Sequence, residues 1–270
     1  MSYSIGIVGY GVVGKNLAKF FDRADRDIIC YDVDSLPEVK DQINKCKYVF
    51  VCVPTPMDPN GECNTDTVEA VCDWIDSKYI IIRSTVPPGT TKRLRAKTGK
   101  RIVFQPEYIG ETADHPLVDH NNQRFVILGG YKGDCSSVAD LYKDYYASDL
   151  HLHITDSTAA EVAKYMENSF YALKVAFCNE FYDIADCYAV DYNELRELWL
   201  ADPRISRDHT FVYPDRRGYG GKCLPKDTNA IIHASGEKGY SADLMKAVTE
   251  VNNKFKKMSR EALPWKQNSK

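Results

Sequence analysis

Short apolar runs rich in β-branched residues recur through the first half of the chain, at Ser4–Val8, Asp27–Asp32, Tyr48–Val53, Tyr79–Ser84, Arg101–Gln105 and Arg124–Leu128, with a seventh at His151–Ile154. Several are continuously apolar rather than alternating, the pattern of strands buried on both faces. Between them, Val12–Phe21, Thr65–Asp76, Thr90–Ala96 and Asp134–Tyr146 place apolar residues at helical spacing. Parallel neighbours in a sheet need a crossover, so this alternation predicts an α/β fold with a doubly wound parallel sheet.

After Thr155 the pattern changes. Asp156 and Ser157 offer helix N-caps, and no further strand is read. Val162, Met166, Phe170, Leu173, Phe177, Phe181, Ile184 and Tyr188 follow one another by three or four residues, drawing a stripe down one long helix. That stripe, with Tyr165, Tyr171 and Val175 beside it, exceeds what one sheet edge would cover, so a second copy of the chain is expected against it. Leu195–Leu200, Thr228–Ala234 and Asp243–Lys257 read as shorter helices, and Asp202–Lys226 as a long loop of the kind that carries function. The expected organisation is two domains, residues 1–155 and residues 156–270.

Composition narrows the function. With 270 residues, 35 Lys+Arg against 38 Asp+Glu and a net charge of -3, the chain has no global positive field to draw nucleic acid or an anionic membrane. Any anionic ligand must be held locally. The nine cysteines form no CxxC pair and no metal-like spacing with histidine, which points to a reducing, cytoplasmic setting and no metal site. No basic leader precedes the first apolar run, and no stretch reaches the ~18 apolar residues of a membrane span.

The first strand runs directly into Gly9-Tyr10-Gly11-Val12-Val13-Gly14 and then into a helix. In this GxGxxG spacing Gly9 permits the turn, Gly11 lets the backbone approach a pyrophosphate, and Gly14 allows close packing of helix on strand. Asp32 closes the second strand, where a carboxylate accepts from an adenosine ribose hydroxyl and repels a 2'-phosphate. NAD is therefore the expected cofactor of a Rossmann-like domain, a bare structural turn being the alternative. Two more strands end in loops at the sheet crest, where Val53, Pro54 and Thr55, and Ser84 and Thr85, are candidate cofactor contacts.

Four segments, GIVGYGVVG, STVPPGTT, QPEYIGE and GYGGKCLPKDT, together with AEVAKYMENSFYALKVAFCNE, closely resemble the UDP-glucose/GDP-mannose dehydrogenase family over nearly the whole chain. Cys223 follows Gly220 and Gly221 and precedes Pro225, which places it at a helix N-terminus beside Lys222 and Lys226, where a thiolate is favoured. A thiolate can attack an aldehyde to give a thiohemiacetal, then a thioester that water cleaves, and the resemblance implies this role for Cys223. Lys164 and Asn168, four residues apart on one helix face, could converge on a developing oxyanion, as the family pattern implies, with Asp227 orienting a water or the lysine. The resemblance further implies that Glu107 serves as general base through Thr85 and a water, and that Glu111 lies against nicotinamide and substrate. Tyr108, Ile109 and Gly110 between them are expected at the substrate, and Lys226 at the cofactor.

For the sugar nucleotide, Arg204 matches a family position that contacts it, in some members across a dimer interface. Arg216 and Arg217 carry forks suited to pyrophosphate, and Tyr213 or Tyr219 could cover the sugar. The implied activity is a four-electron, NAD-dependent oxidation of a nucleotide sugar alcohol to the carboxylate, UDP-glucose to UDP-glucuronate foremost. Two departures stand out. The family's usual second Rossmann-like, nucleotide-holding domain has no counterpart before Lys270, and Lys222 replaces the small or aromatic residue expected before the cysteine. A two-electron β-hydroxyacid dehydrogenase and an inert NAD-binding dimeric subunit remain the alternative readings.

Overall fold

The computed structural model describes residues 4–22, 27–110, 117, 122–143, 145–146 and 150–258. They form two compact units, the first of residues up to Asp58 and Cys63–Lys164, the second of Pro59–Glu62 and Tyr165 onward.

The first unit is built on a seven-stranded sheet. Its strands are β1 (Ile5–Val8), β2 (Ile28–Tyr31), β3 (Tyr48–Val51), β4 (Tyr79–Ile82), β5 (Ile102–Phe104), β6 (Phe125–Gly129) and β7 (His151–Thr155), in the order β2-β1-β3-β4-β5-β6-β7. The helices between them are α1 (Val12–Phe21), α2 (Lys40–Ile43), α3 (Asp66–Trp74), α4 (Thr90–Thr98) and α5 (Lys132–Lys143). Strand residues alternate between two cores. Ile5, Ile7, Phe50 and Ile81 pack with Leu17, Phe20 and Phe21 of α1 and Leu141 and Tyr142 of α5. Val8, Val49, Val51, Ile80 and Ile82 pack with Val68 and Cys72 of α3 and Leu94 of α4. This two-sided burial explains the continuous apolar runs of β1, β3 and β4.

The doubly wound reading holds, with one correction. β5 and β6 pair antiparallel, Phe104 against Gly129, while β6 and β7 are parallel. A parallel neighbour needs a crossover, and no helical pattern lies between Gln105 and Arg124, so the sequence lacks what a wholly parallel sheet requires there. The order reverses at β1, which pairs with β2 on one side and β3 on the other. The carboxyl ends of β1 and β3 are thus the place where a sheet of this kind binds ligands.

The long helix is α6 (Ser157–Cys187), followed by α7 (Tyr192–Leu200), α8 (Cys223–Glu237) and α9 (Asp243–Lys257). α8 starts five residues earlier than its sequence pattern suggested, which shortens the preceding loop. In the second unit α6 buries small residues, Ala172 and Ala176 against Tyr219 and Val248, and Cys178 and Ala185 against Tyr192. The apolar stripe is left open, with Met166 74%, Phe170 56% and Tyr188 78% exposed.

Candidate active site

At the carboxyl end of β1 the three glycines divide the work that the motif assigns them. Gly9 has φ +94°, and a Cβ there would stand 2.7 Å from the Cys52 carbonyl group beyond β3. A Cβ on Gly14 would stand 2.0 Å from the Gly9 carbonyl oxygen. Gly11 differs, because nothing lies within 4 Å of its Cβ position. It is also the N-cap of α1, with no side-chain cap and no acidic residue in the first turn. The first turn of α1, which begins at Val12 and Val13, therefore has open space at its cap position and no capping side chain, and with the positive end of the helix dipole there the arrangement fits a dinucleotide pyrophosphate. Asp32 accepts from the Tyr10 amide at 2.8 Å and from Ser35 Oγ at 3.2 Å. The Tyr10 bond is the main reason its carboxyl lies below the ordinary range.

The loops after β3 and β4 are tied together. Ser84 Oγ donates to the Val53 carbonyl at 2.6 Å, and Thr55 Oγ1 to the Thr85 carbonyl at 2.9 Å. The hydroxyls of Ser84 and Thr55 thus spend their protons bracing the crest, with Pro54 and Thr85 on the same two loops. Beneath the crest lies a residue that sequence reasoning missed. Arg83, fully buried at the end of β4, pairs through Nη2 with Glu107, whose side chain is 11% exposed. Its Nε and Nη1 have no hydrogen-bond partner. Burial opposes the Arg83 charge, but Glu107, Tyr142 and Cys52 outweigh it and hold the guanidinium above its ordinary value. Glu107 Oε1 also accepts from the amides of Tyr108 at 2.7 Å and Ile109 at 2.6 Å. The carboxylate thus has at least three donors, which fix its orientation. The signal was present in the sequence as an arginine directly extending an all-apolar strand.

Tyr108 packs edge-on against Phe125, and Lys164 Nζ lies 4.8 Å from its ring centroid. The Gly110 amide donates to the Leu117 carbonyl at 3.2 Å. Glu111 lies outside the described residues. Lys164 and Asn168 are 8% and 7% exposed, so neither belongs to a solvated helix face. Glu161, one turn earlier, is fully buried and accepts from the amides of Gly89 at 2.5 Å and Thr91 at 2.9 Å, capping α4. Only a lone carboxylate among Ala159, Ala160, Val162 and Ala163 hinted at that role.

In the second unit Cys223 is the first residue of α8 and is exposed. Asp227, one turn on and 1% exposed, accepts from Asn168 Nδ2 and from Lys226 Nζ, each at 2.5 Å. Asp227 therefore orients the amide of Asn168, and Lys226, the expected cofactor contact, is paired with the same carboxylate. Among the other cysteines, burial pushes Cys52 up to about 12 and Cys30 up to about 11, as expected of structural thiols. Cys187 is the exception to that reading, being exposed.

The anion-binding expectations for the loop need correction. Arg217 is buried, with Nη1 2.9 Å from Asp183 and Nε 2.7 Å from Asn179 Oδ1, so its fork is occupied inside the unit. Tyr219 is 3% exposed in the core, and cannot lie over a sugar. Arg204 is exposed and folded onto Asp202 at 2.6 Å. Tyr213 is 56% exposed with the Arg216 guanidinium 5.5 Å from its ring, and Gly220 and Gly221 are exposed. Among the described residues no cluster of side chains suits a metal ion, and no helix is long and apolar enough to cross a membrane.

Two family models match the chain, the NAD binding domain of the UDP-glucose/GDP-mannose dehydrogenase family over residues 37–146 and the central domain of the same family over residues 158–254. The chain belongs to this family. A Bacillus subtilis protein provisionally named a UDP-glucose 6-dehydrogenase is 30% identical over 90% of the chain and 59% of its own length. A GDP-mannose 6-dehydrogenase of Pseudomonas syringae is 28% identical over 75% of the chain and 50% of its own. The solved UDP-glucose dehydrogenase of Pyrobaculum islandicum superimposes with a TM-score of 0.81 at 26% identity, over 94% of this chain and 68% of that one. The chain thus spans only half to three fifths of the length of such curated relatives. NAD, the expected cofactor, is that of the matched first domain.

Proposed function

We propose that the protein is an NAD-dependent dehydrogenase that oxidises the primary alcohol of a nucleotide sugar to a carboxylate, with UDP-glucose the foremost substrate and UDP-glucuronate the product. The observation that carries this reading is the exposed Cys223 at the start of α8, one turn before a buried Asp227 that holds the Asn168 amide. NAD, when bound, supplies the hydride acceptor. Gly11 and the first turn of α1 would hold its pyrophosphate and Asp32 its ribose.

The chain's own residues account for the remaining steps. Removal of a proton and a hydride from the alcohol gives an aldehyde, to which the Cys223 sulfur adds; the new oxyanion is a charge that the Lys164 ammonium and the Asn168 amide suit. The thiol gives up its proton as the sulfur adds, loss of a second hydride from the oxyanion leaves a thioester, and water then releases the carboxylic acid and regenerates the thiol. The overall balance is one alcohol and one water consumed, two hydrides and their protons released. Glu107, already held by Arg83 and two amides, is better suited to orient that water than to carry its proton far. A homodimer formed through the open stripe of α6 accompanies this reading, supported by the exposure of Met166, Phe170 and Phe177. A soluble, cytoplasmic setting fits the free cysteines.

The test is the stoichiometry of NADH per sugar consumed, with UDP-glucose, GDP-mannose and UDP-N-acetylmannosamine compared. Two NADH per sugar, falling to at most one in Cys223→Ser, is the expected result. Unimpaired acid formation by Cys223→Ser would overturn the thioester route. One NADH in the unaltered protein would favour a two-electron dehydrogenase, and none with any substrate would favour an inert binder.

A further inference from the structure

Cys223 is separated from the nearest buried part of its loop by only Gly220, Gly221 and Lys222, all exposed. Gly221 has φ +74°, and two glycines in succession leave the backbone little intrinsic preference. What precedes them is held on two sides. From α6, Asn179 Oδ1 accepts from Arg217 Nε at 2.7 Å and from the Gly218 amide at 3.0 Å, and the Asn179 carbonyl accepts from Arg217 Nη2 at 2.8 Å. Asp183 supplies the countercharge at 2.9 Å. From α9, Asn252 brackets Tyr219 completely, accepting from its amide at 2.6 Å and donating to its carbonyl at 3.1 Å.

The guanidinium is enclosed as well as bonded. Its centre lies 4.7 Å from the Tyr182 ring centroid and 5.0 Å from that of Phe255, so α6 and α9 each offer it an aromatic face. Gly218 has φ +75°, and a Cβ there would lie 2.5 Å from Asn252 Oδ1. The turn therefore fits only with glycine at that position and the asparagine in place. A buried cation with its own carboxylate, two amide side chains and two rings is a costly way to end a surface loop. All of it bears on the residues that immediately precede the start of α8.

We infer that Arg217, together with Asn179, Asp183 and Asn252, is a positioning clamp that fixes the approach of the chain to α8 and so sets where the Cys223 sulfur is held. Arg217 is a positioning residue and not a ligand contact. The inference rests on the proposed function only in taking Cys223 as the nucleophile. It adds what makes a two-glycine approach definite enough for that task.

The experiment measures the alkylation rate of Cys223 by iodoacetamide in the full chain at fixed pH, resolved by peptide mass spectrometry, with the exposed Cys187 as internal reference. It needs neither cofactor nor turnover, so it can fail while the proposed activity stands, or succeed where that activity fails. The variants are Arg217→Met, Arg217→Lys and Asn252→Ala. In Arg217→Met and Asn252→Ala the Cys223 rate is expected to move by about threefold or more toward that of the same peptide in the urea-unfolded protein, with Cys187 unchanged. Arg217→Lys, which keeps the charge for Asp183 but loses the fork, is expected between wild type and Arg217→Met. Should Arg217→Met not fold, Arg217→Lys and Asn252→Ala carry the decision. Variants that melt earlier yet alkylate at Cys223 as wild type does would overturn the inference, and so would a wild-type rate equal to that of the unfolded chain.

Discussion

Replacing Arg83 with methionine removes the buried guanidinium paired with Glu107 while leaving a side chain of similar reach in an apolar site. Breaking one half of a buried pair costs about 3–5 kcal/mol, because the remaining charge is stranded. Glu107 has an escape, since it can take up a proton. For a glutamic acid of ordinary pKa ~4.3 that uptake costs about 3.7 kcal/mol at pH 7 and about 1.6 kcal/mol at pH 5.5. The amides of Tyr108 and Ile109 still favour the carboxylate and soften the loss of its third donor. The expected destabilisation of the first unit is therefore about 3 kcal/mol at pH 7, shrinking by about half at pH 5.5. Urea titrations at both pH values, followed by tyrosine fluorescence and by peptide-resolved hydrogen exchange to assign the transition to the first unit, measure both numbers. A loss under about 1 kcal/mol at pH 7 would refute the claim that Glu107 depends on Arg83. So would an equal loss at the two pH values, because the stranded carboxylate would then not be its origin.

Three further outcomes follow from positions already described. Gly14→Ala should lower the melting temperature and abolish NAD binding together, since its Cβ would stand 2.0 Å from the Gly9 oxygen, whereas Gly11→Ala should melt as wild type and lose NAD affinity alone, as thermal melts and NAD titrations would show. Asp32 has a lowered folded pKa, so its contribution to stability is present above pH ~4 and lost as pH falls through the lowered value; melts between pH 2 and pH 5 should show a shallower acid loss in Asp32→Asn, and coincident profiles would remove Asp32 from the account. Met166→Glu and Phe170→Glu replace exposed residues and should leave the melting temperature of the isolated chain within a few degrees while converting a dimer to a monomer in sedimentation equilibrium; a wild-type monomer would dismiss the dimer.

Much of what the sequence suggests about this site is local. The glycine loop, Asp32 and Cys223 owe their placement to immediate neighbours, namely a strand before, a helix after, or a turn two residues away. The residues that escaped notice act over distance. Arg83 reaches Glu107 from another strand, Glu161 reaches Gly89 and Thr91 from another helix, and Asn252 reaches Tyr219 from the last helix. No periodicity announces a polar side chain whose partner lies tens of residues away. The same limit misled the reading of Arg217 and Tyr219, which look like ligand contacts when only the glycines around them are seen. The stripe on α6 is legible as a pattern, whereas the opposite, buried side of the helix in the second unit mixes Tyr165 and small residues with polar ones, among them Asn168, Asn179 and Asp183, and has no apolar periodicity to reveal it.

Glu161 gives the first unit a timetable. α4 begins at Gly89-Thr90 with no side chain of its own to satisfy its first amides, and the carboxylate that does so arrives seventy-two residues after Gly89. During synthesis β1 through β5 can emerge and pair while that helix end is still bare to water. A chain halted at residue 155 would hold every strand of the sheet and still lack the group that finishes one of its helices. Completion of the nucleotide-binding half thus waits on the opening turns of the helix that follows it, which ties the last step of its folding to continued elongation.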